Sequence, residues 1–317
     1  MAETKDYDVV IVGGGPGGLC AGLYSARARR RTVCLEKYLP GGQIAVTGDV
    51  EDYLGFERIQ GADLAMKFAD HARKFGLEVE TEEVEEVYTD GDYRVARCAS
   101  GNVFRGKAVI LSTGGSPVFL NVPGEKEYSG KGVSYCAICD GAFFKDQVIG
   151  VVGGGDAAVE EGTFLTKFAS KVYIIHRRDQ LRAQKIIQQR AFDNDKVEFI
   201  WDTVVEQIEG DGRRVSNLKL KNAKTGEKSD LAVGAVFPYI GFRPNSQITR
   251  EKLRTDEGGY ILTNQNMETS IEGIFACGDV RAQLVRQITN AVGDGTTAAV
   301  AAEKYIEALE DKHARKP

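Results

Sequence analysis

Histidine is scarce in this chain: 3 in 317 residues, against 6 cysteines. Four of those cysteines (Cys20, Cys34, Cys98, Cys277) stand singly. Zinc ordinarily takes four ligands, usually as two spaced pairs, so no metal is expected. Long apolar runs are missing as well. None approaches the roughly 20 residues that a membrane helix needs, and Met1 to Asp6 is polar where a signal peptide has an apolar core. An excess of positive charge is also absent: 41 Lys and Arg against 46 Asp and Glu give −5. That balance argues against nucleic acid or an anionic membrane surface as partner. The cysteines show no disulfide-framework spacing, which fits a reducing interior, and a cytoplasmic protein is expected. What is there suffices for two domains of ordinary size, each with a core, since 42% of residues are hydrophobic and 27% charged.

The remaining two cysteines fall together in Val133-Ser134-Tyr135-Cys136-Ala137-Ile138-Cys139-Asp140-Gly141-Ala142-Phe143-Phe144. A Cys-x-x-Cys pair can close a small disulfide ring and exchange two electrons. Half of a zinc site and a structural disulfide are the bland alternatives, and redox chemistry is the reading favoured by the spacing. Asp140, beside the second sulfur, is placed to move the protons of thiolate chemistry. Phe143 and Phe144 read equally as core or as a docking surface beside the pair, with Lys131 a basic contact for an acidic partner.

Glycine loops organise the rest. Tyr7–Val12 reads as a buried parallel strand, followed by Gly13-Gly14-Gly15-Pro16-Gly17-Gly18, a helix over Leu19–Arg30 and a strand Thr32–Glu36. Gly13, Gly15 and Gly18 match G-x-G-x-x-G, and Glu36 ends the second strand, where an acid accepts hydrogen bonds from ribose hydroxyls. The pattern recurs with strand Val148–Val152, Gly153-Gly154-Gly155-Asp156-Ala157-Ala158, a helix to about Phe168 and strand Val172–His176. Gly13 to Gly153, Gly15 to Gly155, Gly18 to Ala158 and Glu36 to His176 share one offset, 153 − 13 = 140. Two dinucleotide folds in one chain are therefore expected. At the landmark where the first repeat has Glu36, the second has His176-Arg177-Arg178, with Arg182 beyond. A carboxylate suits a free ribose and repels a 2′-phosphate, and a basic cluster does the reverse. FAD is expected in the first fold and NADPH in the second.

Between the repeats, Pro40-Gly41-Gly42-Gln43 reads as a loop over the flavin and Gly61–Phe75 as a helix. Segments near Leu77–Val79, Val84–Tyr88 and Tyr93–Cys98 read as an antiparallel add-on, and Ala108–Gly114 as a strand ending in a turn. Linker candidates at Pro117–Gly124 and Tyr239–Asn245 divide the chain. The expected class is α/β, with two Rossmann-like domains, the second inserted in the first. The expected domains are 1–117 and 246–317 for FAD and 118–245 for NADPH and the cysteine pair. The chain then returns through Gly273–Val280 to a final helix over about Arg286–Leu309.

Taken in order, Gly13–Gly18, Gly41-Gly42-Gln43, Cys136–Gly141, Gly153–Ala158, His176-Arg177-Arg178 with Arg182-Ala183, and Gly278-Asp279 with Arg286-Gln287 closely resemble the low-molecular-weight thioredoxin reductases. The resemblance covers nearly the whole chain. It implies FAD, NADPH, a homodimer, and electron delivery to thioredoxin, with another thiol protein such as a peroxiredoxin or a glutaredoxin-like partner as the alternative. A peroxiredoxin-reducing relative carries an extra thiol-bearing N-terminal domain, which is not expected ahead of a strand beginning at Tyr7. By position, the resemblance makes Cys139 the sulfur facing the flavin, Cys136 the one that attacks thioredoxin, and Asp140 the acid/base. It sets FAD contacts at Gly13, Gly15, Pro16, Gly18, Glu36, Lys37, Gly42, Gln43, Asp52, Thr113, Gly114, Gly278, Asp279, Arg286, Gln287 and Ile288. NADPH contacts fall at Gly153, Gly155, Asp156, Ala157, Ala158, His176, Arg177, Arg178 and Arg182. Three positions depart from the family's usual pattern. Ala157 stands where serine is common, Asp52 where asparagine is usual, and Leu54 where proline is usual. A carboxylate at Asp52, close to the isoalloxazine, disfavours an anionic reduced flavin. The pair and the NADPH loop share one domain and both must meet the flavin of the other: if they compete for one flavin face, hinge rotation about Gly114–Pro123 and Tyr239–Asn245 is expected, and if they take opposite faces none is needed.

Overall fold

In the computed structural model, residues 2–47 and 49–314 are described, without the side chains of Asp49 and Cys139. The run Val9-Val10-Ile11-Val12 is apolar throughout because its strand, Thr4–Val12, is covered on both faces. Val9 and Ile11 pack with Leu19, Ala69, Ala298 and Ile306 from the helices Pro16–Arg27, Gly61–Lys74 and Ile288–Ala314. Val10 and Val12 pack on the other side with Val87, Ala96, Leu253 and Ile261. The period of two in a strand produces this division.

The chain divides into two units, Met1–Ser116 with Arg243–Pro317, and Pro117–Phe242. In the first, a seven-stranded sheet runs Glu78–Thr81, Thr32–Glu36, Thr4–Val12, Val103–Leu111, Tyr93–Cys98, Val84–Asp90. Val103–Leu111 is the pivot of this sheet. Tyr93–Cys98 pairs antiparallel with its first half (Arg94 opposite Gly106), and Ile274–Ala276 pairs parallel with its second half (Ile274 opposite Val109). The late strand thus delivers Cys277 and Gly278 to the carboxyl ends of the parallel strands, where open α/β sheets bind ligands.

One expectation is corrected here. Glu78–Thr81 is not part of an antiparallel add-on; it pairs parallel with Thr32–Glu36, Val33 opposite Glu78. The helix Gly61–Lys74 supplies the crossover that a parallel neighbour requires. Leu77 anchors the strand's start, buried where a Cβ on Gly22 would come within 2.5 Å of its Cδ2.

The second unit repeats the plan. Four parallel strands lie in the order Val197–Ile200, Lys171–Ile175, Val148–Gly153, Ala235–Tyr239. On one face, Ile149, Val151, Ile174 and Phe237 bury Ala158 and Leu165 of helix Asp156–Leu165, together with Ala137. On the other, Val152, Ile175 and Val236 pack with Val205, Leu218 and Leu220 of an antiparallel sheet, Thr203–Gly210, Val215–Asn222 and Lys228–Ala232. The chain passes between units through Gly115–Pro117 and Phe242–Pro244, which pair with each other as two short strands.

Candidate active site

Gly13 follows the first strand with φ +101°, and a Cβ there would lie 2.3 Å from the Ser112 carbonyl oxygen. Only glycine satisfies both constraints. The chain turns into helix Pro16–Arg27, whose N-cap position is Gly15 and whose first turn has no side-chain cap. A Cβ on Gly15 would meet nothing within 4 Å, so the space before the helix N-terminus is open on that side. This cradle, with its aligned N–H groups, fits the pyrophosphate of a dinucleotide. Glu36 accepts the Gly14 N–H at 2.6 Å and the Tyr38 N–H at 3.0 Å. Its carboxylate has acceptor sites left for ribose hydroxyls. Lys37 pairs with Glu83 at 2.6 Å on the surface. Gly41 donates its N–H to the Gly14 carbonyl at 2.7 Å, and a Cβ on Gly42 would lie 3.1 Å from Gly15 Cα. The Gly41-Gly42-Gln43 loop therefore lies directly on the glycine turn. Gln43 and Asp52 are exposed, as is Leu54.

Residues far apart in sequence complete this cradle. A Cβ on Gly17 would meet the Ala291 carbonyl at 3.1 Å, Ser112 Oγ at 3.1 Å and Cys277 Sγ at 3.3 Å. Gly278, at φ +70°, donates its N–H to the buried carboxylate of Asp294 at 3.1 Å, and Arg281 pairs with the same oxygen at 3.4 Å. Burial raises the Asp294 carboxyl above its usual range, with Arg281 opposing. Asp279 is raised by burial too, opposed by Arg286, whose guanidinium lies 3.9 Å from the Tyr260 ring centroid. The Gln287 carbonyl accepts the Ala291 N–H at 3.0 Å, and Ile288 packs against the cluster of Ile44 and Leu64. Thr113 and Gly114 hold Asn245: Thr113 Oγ1 donates to its carbonyl at 2.7 Å, Asn245 Nδ2 donates to the Thr113 carbonyl at 2.9 Å, and Asn245 N–H reaches the Gly114 carbonyl at 3.0 Å. Neither Asn245 nor Asp294 was singled out from sequence as a site residue. The one available signal was a carboxylate, Asp294, in an otherwise small-residue helix start, Ala291-Val292-Gly293-Asp294-Gly295.

The second loop has the same build. A Cβ on Gly153 would lie 2.3 Å from the Tyr239 carbonyl oxygen, and one on Gly155 would meet nothing within 4 Å. Ala158 is buried and Ala157 exposed. Asp156, in the first helical turn, accepts the Gln184 N–H at 2.7 Å. Arg182 and Ala183 donate their N–H groups to the Gly154 carbonyl at 2.7 and 3.2 Å. Arg177, Arg178 and Arg182 are exposed around this loop. His176 differs from its expected role in a basic cluster. It is buried under Gly154, whose Cβ would lie 2.4 Å from the ring, and its Nε2 meets the Gln180 carbonyl at 3.1 Å. Burial lowers its pKa and the neighbouring arginines lower it further, so His176 is neutral at pH 7 and shapes the site without charging it.

Cys136 is disulfide-bonded, while Cys20, Cys34, Cys98 and Cys277 are free thiols. The Cys139 side chain lies outside the described residues. Ser134 Oγ accepts the Cys136 N–H at 3.1 Å, and the short helix Ala137–Asp140 follows. The Ala137 N–H donates to the Tyr239 hydroxyl at 2.8 Å. Asp140 is half-buried at the end of that helix. The two phenylalanines divide the alternatives between them: Phe144 packs edge-on against Phe237 in the core, whereas Phe143 is 76% exposed. Lys131 is exposed. Among the described residues no cluster of three His, Cys, Asp or Glu forms a metal site. No helix among them is long and apolar enough to cross a membrane.

The pyridine nucleotide-disulphide oxidoreductase family matches residues 7–295. A thioredoxin reductase of Bacillus subtilis is 49% identical over 311 residues, 98% of each chain. One of Listeria monocytogenes is 47% identical over 310 residues, covering 98% of this chain and 97% of its own. The chain belongs to this family, among its low-molecular-weight thioredoxin reductases. It is an oxidoreductase acting on a pyridine nucleotide and a disulfide. The crystal structure of Lactococcus lactis thioredoxin reductase in the FR conformation superposes with a TM-score of 0.93 at 47% identity, over 95% of this chain and 99% of that one. The T. acidophilum thioredoxin reductase gives 0.91 at 34%, over 96% and 99%.

Proposed function

We propose that this chain takes electrons from NADPH through FAD to a Cys136–Cys139 disulfide and delivers them to thioredoxin, working as a cytoplasmic homodimer. The observation that carries this is a disulfide-bonded Cys136 in the same unit as a glycine loop ringed by Arg177, Arg178 and Arg182. FAD fits the first cradle, held by Gly13, Gly15 and Gly18 at the pyrophosphate and by Glu36 at the ribose. NADPH fits the second, held by Gly153 and Gly155, with the three arginines on a 2′-phosphate. Once bound, the two cofactors supply the electron pair that opens the disulfide.

The residues do the rest. Ser134 fixes the backbone of Cys136, and Tyr239 fixes that of Ala137. Asp140 holds or releases the proton that accompanies thiolate formation. The Cys136 thiolate attacks one sulfur of the partner disulfide, forming a mixed disulfide and releasing the partner's other sulfur as a thiolate, which takes a proton. Cys139 then attacks the Cys136 sulfur, closing the internal disulfide and expelling the second partner thiolate. Phe143, apolar and exposed beside the pair, offers contact area for that partner.

The test is NADPH oxidation by the purified holoprotein with thioredoxins, glutaredoxins and peroxiredoxins as separate acceptors. Turnover with a thioredoxin is expected. Turnover with another acceptor and none with thioredoxin would move the partner assignment, and equal use of NADH would overturn the phosphate site.

A further inference from the structure

Glu161 is a half-buried residue with no assigned work. It lies on helix Asp156–Leu165, three residues after Ala158 and four before Leu165, both buried. That places it beside the stripe that covers the redox segment, since a Cβ on Gly141 would lie 2.9 Å from Leu165 Cδ2. Its Oε2 is sealed from solvent and has no hydrogen-bond partner. No ion pair to Glu161 is found among the described residues. A polar atom left in this state is costly to ionise and calls for an explanation.

The neighbours give one. Tyr239, whose hydroxyl accepts the Ala137 N–H, is acted on by the charges of both Glu161 and Asp140. Burial is the largest influence on this phenol, and the two carboxylates add to it. Glu161 thus faces Glu160 on its own helix and Tyr239 at the end of strand Ala235–Tyr239, and Tyr239 in turn feels Asp140 at the end of the redox helix. Glu160 repels a new negative charge on Glu161, and burial keeps the Tyr239 phenol neutral. Burial, then the charge of Glu160, pushes the Glu161 carboxyl up to about 7.

We propose that Glu161 is a positioning residue for the redox dithiol, an uncharged acid beside Tyr239 whose ionisation adds a second negative charge, besides Asp140, around the phenol that holds the redox helix and makes the Cys136 thiol harder to ionise. The inference rests on the Cys136–Cys139 reading above, not on the identity of the protein partner. It makes the enzyme's thiol chemistry sensitive to pH near neutrality through a carboxyl group on the neighbouring helix.

The test is alkylation. Holoprotein reduced anaerobically with dithiothreitol is treated with iodoacetamide between about pH 5.5 and 9, and modification of Cys136 is followed by peptide mass spectrometry. Wild type, Glu161→Gln and Glu161→Leu are compared. The expected wild-type profile is flattened by an inflection near neutrality, and both variants lose it. At about pH 6 the three agree within roughly twofold, and above about pH 8 the variants react about three to ten times faster, the effect of one nearby charge on a thiol pKa. Superimposable profiles would overturn the proposal. If the leucine variant fails to fold, the near-isosteric glutamine variant decides alone. No thioredoxin is used, so a shifted profile in a protein that does not reduce thioredoxin would sink the partner assignment and leave this inference standing.

Discussion

Arg177 and Arg178 must carry the charge that His176 lacks. The histidine is buried and neutral, and the arginines stand exposed beside the second glycine loop. Replacing both with neutral residues is expected to remove most of the preference for NADPH over NADH, on the order of 1–3 kcal/mol for lost charge-assisted hydrogen bonds. The ratio of kcat/KM values for the two nucleotides measures it, and an unchanged ratio would contradict the assignment. The two sulfurs also separate cleanly. Cys136→Ser should leave Cys139 as a thiolate that gives a long-wavelength charge-transfer band with oxidised FAD, and Cys139→Ser should not; the opposite spectra would reverse the roles. Glu161 makes a third prediction at this scale. Its folded value of about 7 lies above its ordinary 4.5, so the native state keeps a proton that the unfolded chain gives up. The stability that follows is fully present below about pH 4.5 and is lost as pH rises through 7, by up to about 3 kcal/mol. Glu161→Gln lacks that slope. Thermal unfolding across this range should show the variant gaining on wild type as pH rises, and parallel curves would contradict it.

At the scale of elements, the contacts between helices are tight enough to be tested by one methyl group. A Cβ on Gly295 of helix Ile288–Ala314 would lie 2.2 Å from the Gly17 carbonyl oxygen of helix Pro16–Arg27. Gly295→Ala should therefore force the helices apart, at a cost of about 1–3 kcal/mol. It should also loosen FAD, because Gly17 sits among Ser112, Cys277 and Ala291. A lower melting temperature and flavin lost on gel filtration are expected; a fully flavinated variant of unchanged stability would contradict the packing. The repeated strand–glycine–helix–strand units were legible in sequence because their signals are local: apolar runs, glycines and an offset of 140. The edge strand Glu78–Thr81 was not, because Glu-Val-Glu-Thr alternates like a half-exposed antiparallel strand and only its crossover helix makes it parallel. Burial of His176 was also invisible. It depends on Gly154 closing over the ring. The Asn245 clamp on Thr113 bridges 132 residues, and no local pattern announces such a pairing.

For the whole molecule, the disulfide and the arginine-ringed loop belong to one unit and the Glu36 cradle to the other. We propose that the hydride donor and the disulfide use one flavin face in turn, by rotation about the crossings that pair Gly115–Pro117 with Phe242–Pro244; a disulfide and a nicotinamide on opposite faces would need none. A cysteine pair engineered to lock the state in which Cys139 meets FAD should slow flavin reduction by NADPH sharply, with recovery when the lock is reduced. Reduction at the unlocked rate would show that rotation is not required. The central claim, that electrons pass from NADPH through the cofactor to Cys136 and out to thioredoxin, is met most directly by one comparison. Wild type and Cys136→Ser are each mixed with NADPH in a stopped-flow instrument, and thioredoxin reduction is then followed in the same samples. The account predicts flavin bleaching in both proteins and thioredoxin reduction by wild type alone. Thioredoxin reduced at the wild-type rate by Cys136→Ser would contradict it.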